Sequence, residues 1–249
     1  MSRPASAARR GLLVPGIFAL AAFIVLIGLG AWQVERKAWK EALIATLTQR
    51  LAAPPGALPA PDRWASLSEE HDEFRRASFA AAFLNDKEAL VYAGASAFRP
   101  DVSGPGYWVF TPARLADGHL VMVERGFVPE GRQDPKTRPQ GQLSGPTAIV
   151  GALRWPETSG WFTPASDPEH NLWFVRDPAG IAKSKEIGPV APFYVAQEAP
   201  IPPGDLPKPG PLSVHLRNEH LQYAITWFGL ATVLLVVFMS FVMSRRRQA

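Results

Sequence analysis

The chain has 249 residues, of which 47% are hydrophobic and only 19% are charged, so part of it is suited to an apolar environment. Its net charge of +4 comes from the two ends, since residues 1–10 and residues 245–249 each carry three arginines and no acid. Without those six, 20 of the 26 basic residues remain against 22 acidic ones, so we expect no nucleic-acid partner. The absence of cysteine excludes thiolate metal sites, thiol catalysis and disulfides.

Two uncharged apolar runs, residues 11–34 and residues 221–244, are each 24 residues long. A helix of that length covers about 36 Å at 1.5 Å per residue, enough to cross a hydrocarbon core of about 30 Å. A cleaved signal peptide is the alternative for the first run, but Leu29 stands where a small residue should precede Ala31. We therefore predict two transmembrane helices in contact with membrane lipid.

The terminal arginines predict the orientation of these helices. Short arginine-rich tails stay in the cytoplasm, whereas a long intervening domain crosses the membrane largely regardless of its charge. Residues 1–10 and 245–249 are therefore predicted to be cytoplasmic tails. Only ten residues precede the first run, which leaves no room for a mitochondrial transit peptide. We expect a two-pass protein of the bacterial inner membrane, with both termini cytoplasmic and the middle of the chain in the periplasm.

Proline divides the segment between the two helices. Apolar residues recur every fourth position from Trp39 to Leu51, which predicts a helical extension over residues 35–51. Two Pro-rich stretches, residues 52–61 and residues 199–211, cannot form a helix interior or a central strand and are predicted to be linkers. They bracket a periplasmic β-rich domain at residues 62–198.

Within this domain, short β-branched or aromatic runs predict five strands, at residues 88–92, 107–111, 119–128, 148–153 and 193–196. Asp117-Gly118 predicts a hairpin turn, and Asp177-Pro178 predicts the N-cap and first residue of a short helix. The predicted fold class is therefore an α+β membrane protein. In it, two transmembrane helices flank a compact antiparallel β-rich extracytoplasmic domain.

Catalytic motifs are missing from the sequence. It has no Walker A loop, no dinucleotide-binding glycine pattern, no H-E-x-x-H and no G-x-S-x-G. Its five histidines show no close metal-ligand spacing. A membrane-tethered hydrolase or a sensor is an alternative without a supporting motif, so we predict that the protein is not an enzyme.

Aromatic and polar residues cluster where the two apolar runs reach the outer side of the membrane. On the first helix, residues at i, i+4 and i+7 share one face: Trp32, Arg36 and Trp39. On the second helix, residues at i, i+3 and i+7 share one face: His220, Tyr223 and Trp227. An aromatic belt with a snorkelling arginine explains these residues except the histidine.

His220 has two interpretations. Asn218 or Glu219 would cap the second helix and place His220 in its first turn, where the helix dipole favours the neutral imidazole. A neutral imidazole is the form that binds a metal or a haem iron, and Arg36 would suit the carboxylate tails of a haem. Haem ligation and simple packing at the interface both remain open on these grounds.

Six blocks of the sequence resemble the Surfeit locus protein 1 family, assembly factors for cytochrome c oxidase. They are LGAWQVERKAWK (29–40), GYWVFTP (106–112), RGFVP (125–129), GWFTP (160–164), NLWFVRD (171–177) and LRNEHLQYAITWFGL (216–230). The resemblance covers about residues 28–230 in order and agrees with two transmembrane helices. Glu124 stands where the family usually has Asn, and Ala81 where it usually has Gly.

The resemblance, to the bacterial type of this family, implies an assembly factor for aa3-type cytochrome c oxidase. Such a protein would transiently bind haem a at the outer membrane interface and aid its insertion into subunit I. Its partners would be subunit I and the haem a synthesis machinery. His220 would be the iron ligand, and the other haem-binding residues would be Tyr223, Trp227, Arg36 and Trp32. The alternative is a haem-free, membrane-anchored docking platform for oxidase assembly partners.

The blocks in the outer domain have a structural interpretation too. Their aromatic residues are most simply core: Trp108, Phe110, Phe127, Trp161, Phe162, Trp173 and Phe174. Gly126 and Gly160 are predicted to lie in turns or bulges. Arg125, Arg176 and Asp177 are predicted to form a structural ion-pair set. A docking surface for the oxidase is the alternative for these residues.

Overall fold

A computed structural model describes residues 5–93, 102, 104–214 and 216–247. The chain divides into two compact units, which we name the helical unit (Met1–Ala45 with Leu216–Ala249) and the barrel unit (Thr46–His215). The outermost residues of both predicted tails, 1–4 and 248–249, lie outside the described residues.

The described helices are α1 (Ala5–Ala52), α2 (Glu69–Asp72), α3 (Pro178–Ser184) and α4 (His220–Arg247). Both α1 and α4 are long and apolar enough to cross a membrane, with mean hydropathies of 2.5 and 2.3 over their most apolar windows. With 48 residues, α1 is about 72 Å long at 1.5 Å per residue, so it exceeds what a bilayer requires.

The described strands are β1 (Gly56–Ala57), β2 (Arg76–Phe83), β3 (Ala89–Ala93), β4 (Gly106–Leu115), β5 (Leu120–Pro129), β6 (Pro146–Arg154), β7 (Leu172–Trp173) and β8 (Val190–Ala199). Each of the five predicted strands overlaps one of them, namely β3, β4, β5, β6 and β8, and none extends more than one residue beyond it. The α+β fold class is therefore confirmed.

Strands β2, β6, β8, β5 and β4 form a closed barrel, because β4 also pairs with β2. Neighbouring strands around the barrel are antiparallel except β5 and β8, which run parallel. The parallel pair was not predicted, and it arises because β6 and α3 intervene in the chain between these two strands. Strand β3 extends the sheet beyond β4, and β7 and β1 add short parallel pairings.

Two predicted local signals are confirmed. The chain reverses between β4 and β5, where the Gly118 N–H donates to the Leu115 carbonyl at 3.0 Å and Gly118 has a φ of +89°. Only glycine adopts such a φ without strain. At the start of α3, the Asp177 side chain accepts a hydrogen bond from the Gly180 N–H at 3.0 Å, and Pro178 occupies the first helical position.

The predicted irregularity at Gly126 is a β-bulge. Val109 pairs with Gly126 and Phe110 pairs with Glu124, so Arg125 is the extra residue on β5. The bulge gives Gly126 a φ of +130°. A side chain at this position would overlap the Lys208 backbone, which is hydrogen-bonded to the next residue of β5.

The core prediction is correct for most of the aromatic residues and wrong for two. Trp108, Phe110, Phe127 and Trp173 are buried, and Phe174 is partly buried. Trp161 and Phe162 are fully exposed, at 102% and 100% of their reference areas. They lie between β6 and β7 in a turn that joins Gly160 and Thr163 by two hydrogen bonds of 3.0 and 3.1 Å. The turn confirmed at Gly160 thus directs both rings away from the barrel.

The predicted ion-pair set is correct for Arg176 alone. Its guanidinium contacts the Glu124 and Glu157 carboxylates at 2.9 and 2.5 Å. Asp177 instead caps α3. Arg125 is buried and donates to the Asn85 amide oxygen and a backbone carbonyl, because the bulge turns its side chain inward. Burial lowers the pKa of Arg125 to about 10.

Candidate functional site

The predicted site residues all belong to the helical unit, where α1 and α4 pack against each other. Gly16 lies against Phe238, and Gln33 lies against His220, so the two helices run antiparallel. Both helices therefore have their chain-terminal ends on the same side of the pair.

The contact between the helices follows a heptad-like spacing. On each helix, residues that are less exposed than most of their neighbours recur alternately three and four positions apart, and we name these positions the seam. On α1 the seam residues are Gly16, Ala19, Phe23, Leu26, Gly30 and Gln33, and on α4 they are His220, Ala224, Trp227, Ala231, Leu234 and Phe238. This spacing is typical of helices that cross at a shallow angle. Small residues at the seam let the backbones approach closely, and Ala224 and Ala231 are buried.

The polar end of the seam holds a hydrogen bond between the helices. His220 Nδ1 lies 2.6 Å from Gln33 Oε1. An amide oxygen only accepts hydrogen bonds, so Nδ1 is the donor and carries the ring proton. In a neutral imidazole the other nitrogen, Nε2, then has a free lone pair. Nε2 makes no hydrogen bond with any residue that the structure describes. The imidazole is thus oriented by one nitrogen and free to bind a metal through the other.

Gln33 was not among the predicted site residues. The sequence did contain a signal, because Gln33 is an uncharged but polar residue near the end of an otherwise apolar run. Polar side chains in membrane-spanning segments are costly and usually face a partner helix. What the sequence could not give is the pairing of Gln33 with His220, which are 187 residues apart.

One turn before Gln33, the backbone of α1 lies directly against a ring of α4. Gly30 is buried, and a Cβ atom there would lie 2.5 to 2.8 Å from three atoms of the Phe228 ring. Such distances are below any ordinary contact between carbon atoms. Gly30 therefore permits the separation at which Gln33 reaches His220.

Arg36 is held between two tryptophans on the exposed side of α1. Its guanidinium carbon lies 5.8 Å from the centre of the Trp32 ring and 5.2 Å from that of the Trp39 ring. These distances are within the range of cation–π attraction. Arg36 forms no ion pair with a carboxylate in the described part of the chain, so its charge is available to an anionic group.

The three predicted residues of α4 do not share one environment. His220 and Trp227 lie on the seam, whereas Tyr223 is 51% exposed and faces away from it. Trp32 is likewise half exposed. The structure therefore brings His220 together with Gln33, places Trp227 two turns further along the seam, and leaves Tyr223, Trp32 and Arg36 on the outer surface of the helix pair.

The start of α4 agrees with the predicted position of His220, which is the first residue of that helix. The Glu219 carbonyl accepts the first helical hydrogen bond, from the Tyr223 N–H at 3.3 Å. The Glu219 carboxylate accepts a hydrogen bond from Arg217 at 2.6 Å. Asn218 Oδ1 is buried without a hydrogen-bond partner and so does not cap the helix by its side chain.

The barrel unit has a cavity of about 790 Å³ whose lining includes Asp86, Asp134, His170 and Lys185. The predicted site residues lie in the other unit. Among the residues that the structure describes, no group of three or more His, Cys, Asp or Glu could hold a metal ion. A metal at His220 would therefore need other ligands, such as those a porphyrin supplies.

Comparison with known proteins identifies the family. Residues 20–232 match the model of the SURF1 family. A SURF1-like protein of Monosiga brevicollis is 37% identical over 224 residues, which cover 86% of this chain and 82% of that protein. Surfeit locus protein 1 of Rattus norvegicus is 37% identical over 213 residues, covering 82% and 67%. The Homo sapiens protein of that name is 35% identical over 219 residues, covering 84% and 71%.

Proposed function

The chain belongs to the SURF1 family of cytochrome c oxidase assembly factors, and we propose that it transiently binds haem a through His220. In this proposal the chain holds haem a at the outer membrane interface and aids its insertion into subunit I of an aa3-type oxidase. The haem a synthesis machinery would supply the group. The family comprises assembly factors, so we propose no catalytic reaction for the chain.

The contact between Gln33 and His220 carries the proposal. A histidine that ligates a metal commonly donates its other N–H to an oxygen acceptor, which fixes the ring and its tautomer. Gln33 Oε1, 2.6 Å from His220 Nδ1, is such an acceptor. Haem a, when bound, would supply an iron that accepts the Nε2 lone pair.

The surrounding residues support the same ligand. Trp227, two turns from His220 on the seam, and the exposed Tyr223 and Trp32 offer flat apolar surfaces to a porphyrin. Arg36 offers a cation without a carboxylate partner, which suits the propionates. All five residues lie near the outer ends of their spans, where a haem can keep its propionates in water.

The visible absorption spectrum of the purified full-length chain, produced in cells that make haem a, tests the proposal. We expect His220→Ala to lose the haem spectrum while expression and membrane insertion stay normal. Gln33→Leu should weaken haem binding about 10- to 100-fold, as the loss of an outer-shell partner commonly does. Gln33→Glu keeps an acceptor oxygen and should retain binding.

Gln222→Leu is the matched control, because it makes the same change on an exposed position of α4. Arg36→Ala should weaken haem retention less than His220→Ala, since the iron ligand stays in place. An unchanged Soret band in His220→Ala would contradict the proposal. It would favour the alternative, a haem-free docking platform for assembly partners.

We also propose that the chain is a two-pass protein of a bacterial inner membrane with both termini cytoplasmic. The antiparallel packing of α1 and α4 supports termini on one side, and the terminal arginines support the cytoplasm. Alkaline phosphatase is active only outside the cytoplasm. A fusion after Glu198 should be active and one after Arg247 inactive, and the opposite pattern would refute this orientation.

A further inference from the structure

Two arginines flank the hydrogen bond between Gln33 and His220. Arg36 follows Gln33 by three residues on α1, and Arg217 precedes His220 by three residues in the segment that leads into α4. Because the helices are antiparallel, both arginines belong to the same end of the helix pair. Three residues span at most about 10 Å, so Arg217 lies close to His220. The candidate haem site therefore has a second cation nearby.

The two arginines differ in what they contact. The Arg36 guanidinium lies against two tryptophan rings and forms no ion pair in the described part of the chain. The Arg217 guanidinium is held by a carboxylate, since its Nε and Nη2 each lie 2.6 Å from Glu219 Oε1. Glu219 immediately precedes the proposed iron ligand in the chain. One cation beside the site is thus free, and the other is bound to an acid.

The ion pair between Arg217 and Glu219 is easily exchanged. The Arg217 side chain is 83% exposed and the Glu219 side chain is 39% exposed. Ion pairs at exposed positions contribute little to stability, equivalent to at most about a 5-fold change in an equilibrium constant. A guanidinium can bind another carboxylate through two parallel N–H groups. A second carboxylate can therefore take the place of Glu219 at small cost.

A haem brings two carboxylates, its propionates, whereas Arg36 offers one guanidinium. We propose, on the basis of the proposed haem site, that Arg217 exchanges Glu219 for the second propionate when haem binds. Glu219 thereby competes with the propionate for Arg217 and limits the affinity for haem. Such a limit suits a protein that holds haem only transiently, because the haem must leave again for its acceptor.

The proposal predicts that loss of an acid strengthens haem binding. In Glu219→Gln nothing competes for Arg217, so the dissociation constant for haem should fall about 2- to 5-fold. Arg217→Gln should raise this constant by a similar factor. The assay is a titration of the purified full-length chain in detergent micelles, followed by the Soret absorbance. Haem b is the probe, because it carries the same propionates as haem a.

A double-mutant cycle separates the exchange from a general effect of charge. Removal of any nearby carboxylate favours an anionic ligand, but only Glu219 acts through Arg217. In the Arg217→Gln chain, Glu219→Gln should therefore change haem affinity little. Glu35→Gln is the matched control, since it removes an exposed carboxylate beside Arg36 and leaves the Arg217 contact intact. Its haem affinity should stay close to that of the wild type.

The dimethyl ester of haem b is the second probe, because its propionates carry no charge. Its affinity should not rise in Glu219→Gln. An equal rise for haem and ester, an equal rise with and without Arg217, or no rise at all would overturn the proposal. A chain that binds haem through His220 and gives one of these results would leave the proposed function intact. A wild-type chain that binds no haem would overturn both proposals.

Discussion

Gly30→Ala tests whether the close packing of α1 and α4 controls the candidate haem site. The new Cβ would lie 2.5 Å from Phe228 Cε1, whereas an ordinary contact begins at about 3.4 Å. The two groups must therefore separate by about 0.9 Å. Gln33 lies one turn further along α1, so a similar displacement would stretch its 2.6 Å bond to His220 to about 3.5 Å. That distance is beyond a normal hydrogen bond.

The expected loss of haem affinity follows from the net free energy of the hydrogen bond between Gln33 and His220. A hydrogen bond contributes about 0.5–1.5 kcal/mol net, which corresponds to about a 2- to 13-fold change in an equilibrium constant. We therefore expect Gly30→Ala to weaken haem binding by a factor in this range without touching a haem-binding residue. The assay is a haem titration of the purified chain, followed by the Soret absorbance.

Two further variants decide whether this reasoning is correct. Gly28→Ala is the matched control, since a Cβ at Gly28 meets no atom within 4 Å, and it should bind haem normally. Phe228→Ala combined with Gly30→Ala removes the overlap and should restore binding, as a double-mutant cycle would show. Unaltered affinity in Gly30→Ala, or a double variant as weak as the single one, would refute the coupling.

Three more outcomes are expected. Glu88→Gln should lower the free energy of unfolding of the barrel unit by about 3–5 kcal/mol in a denaturant titration, because it leaves the buried Arg138 guanidinium without its carboxylate. A decrease in this free energy of less than about 1 kcal/mol would contradict the prediction. Asp177→Ala should cost about 1 kcal/mol in the same assay through loss of the α3 cap, and Asp177→Asn should retain most of it. Deleting the protein should lower the haem content and activity of an aa3-type oxidase while its subunits are still made, and normal haem stoichiometry under limiting haem would count against the assignment.

Local sequence predicted five strands whose residues have strong β preference and missed three of those described, of which β2 is the longest. Strand β2 (Arg76–Phe83) contains four alanines, which have a weak β preference, so its pattern predicted no strand. It forms because β4 and β6 pair with it on both sides and close the barrel. The parallel pairing of β5 with β8 likewise depends on distant segments, which no local pattern encodes.

The aromatic residues also show that local sequence does not determine burial. Trp161 and Trp173 stand in similar aromatic pairs of the sequence, yet one is fully exposed and the other is 5% exposed. Trp173 belongs to a strand that pairs with β3, whereas Trp161 follows a glycine in a turn. The side chain is the same at both positions, so the path of the backbone decides whether the ring is buried in the core.

At the candidate site, the sequence predicted His220 but could not predict what orients it. His220 lies at the start of α4 and its acceptor Gln33 lies on α1, so the oriented imidazole exists only when the two helices are paired. Gly30, a residue without a side chain, lies within that pairing, and its missing Cβ makes room for the Phe228 ring. The orientation of the His220 imidazole therefore depends on how α1 and α4 pack. A substitution that widens the seam should act on haem binding as a mild version of losing Gln33.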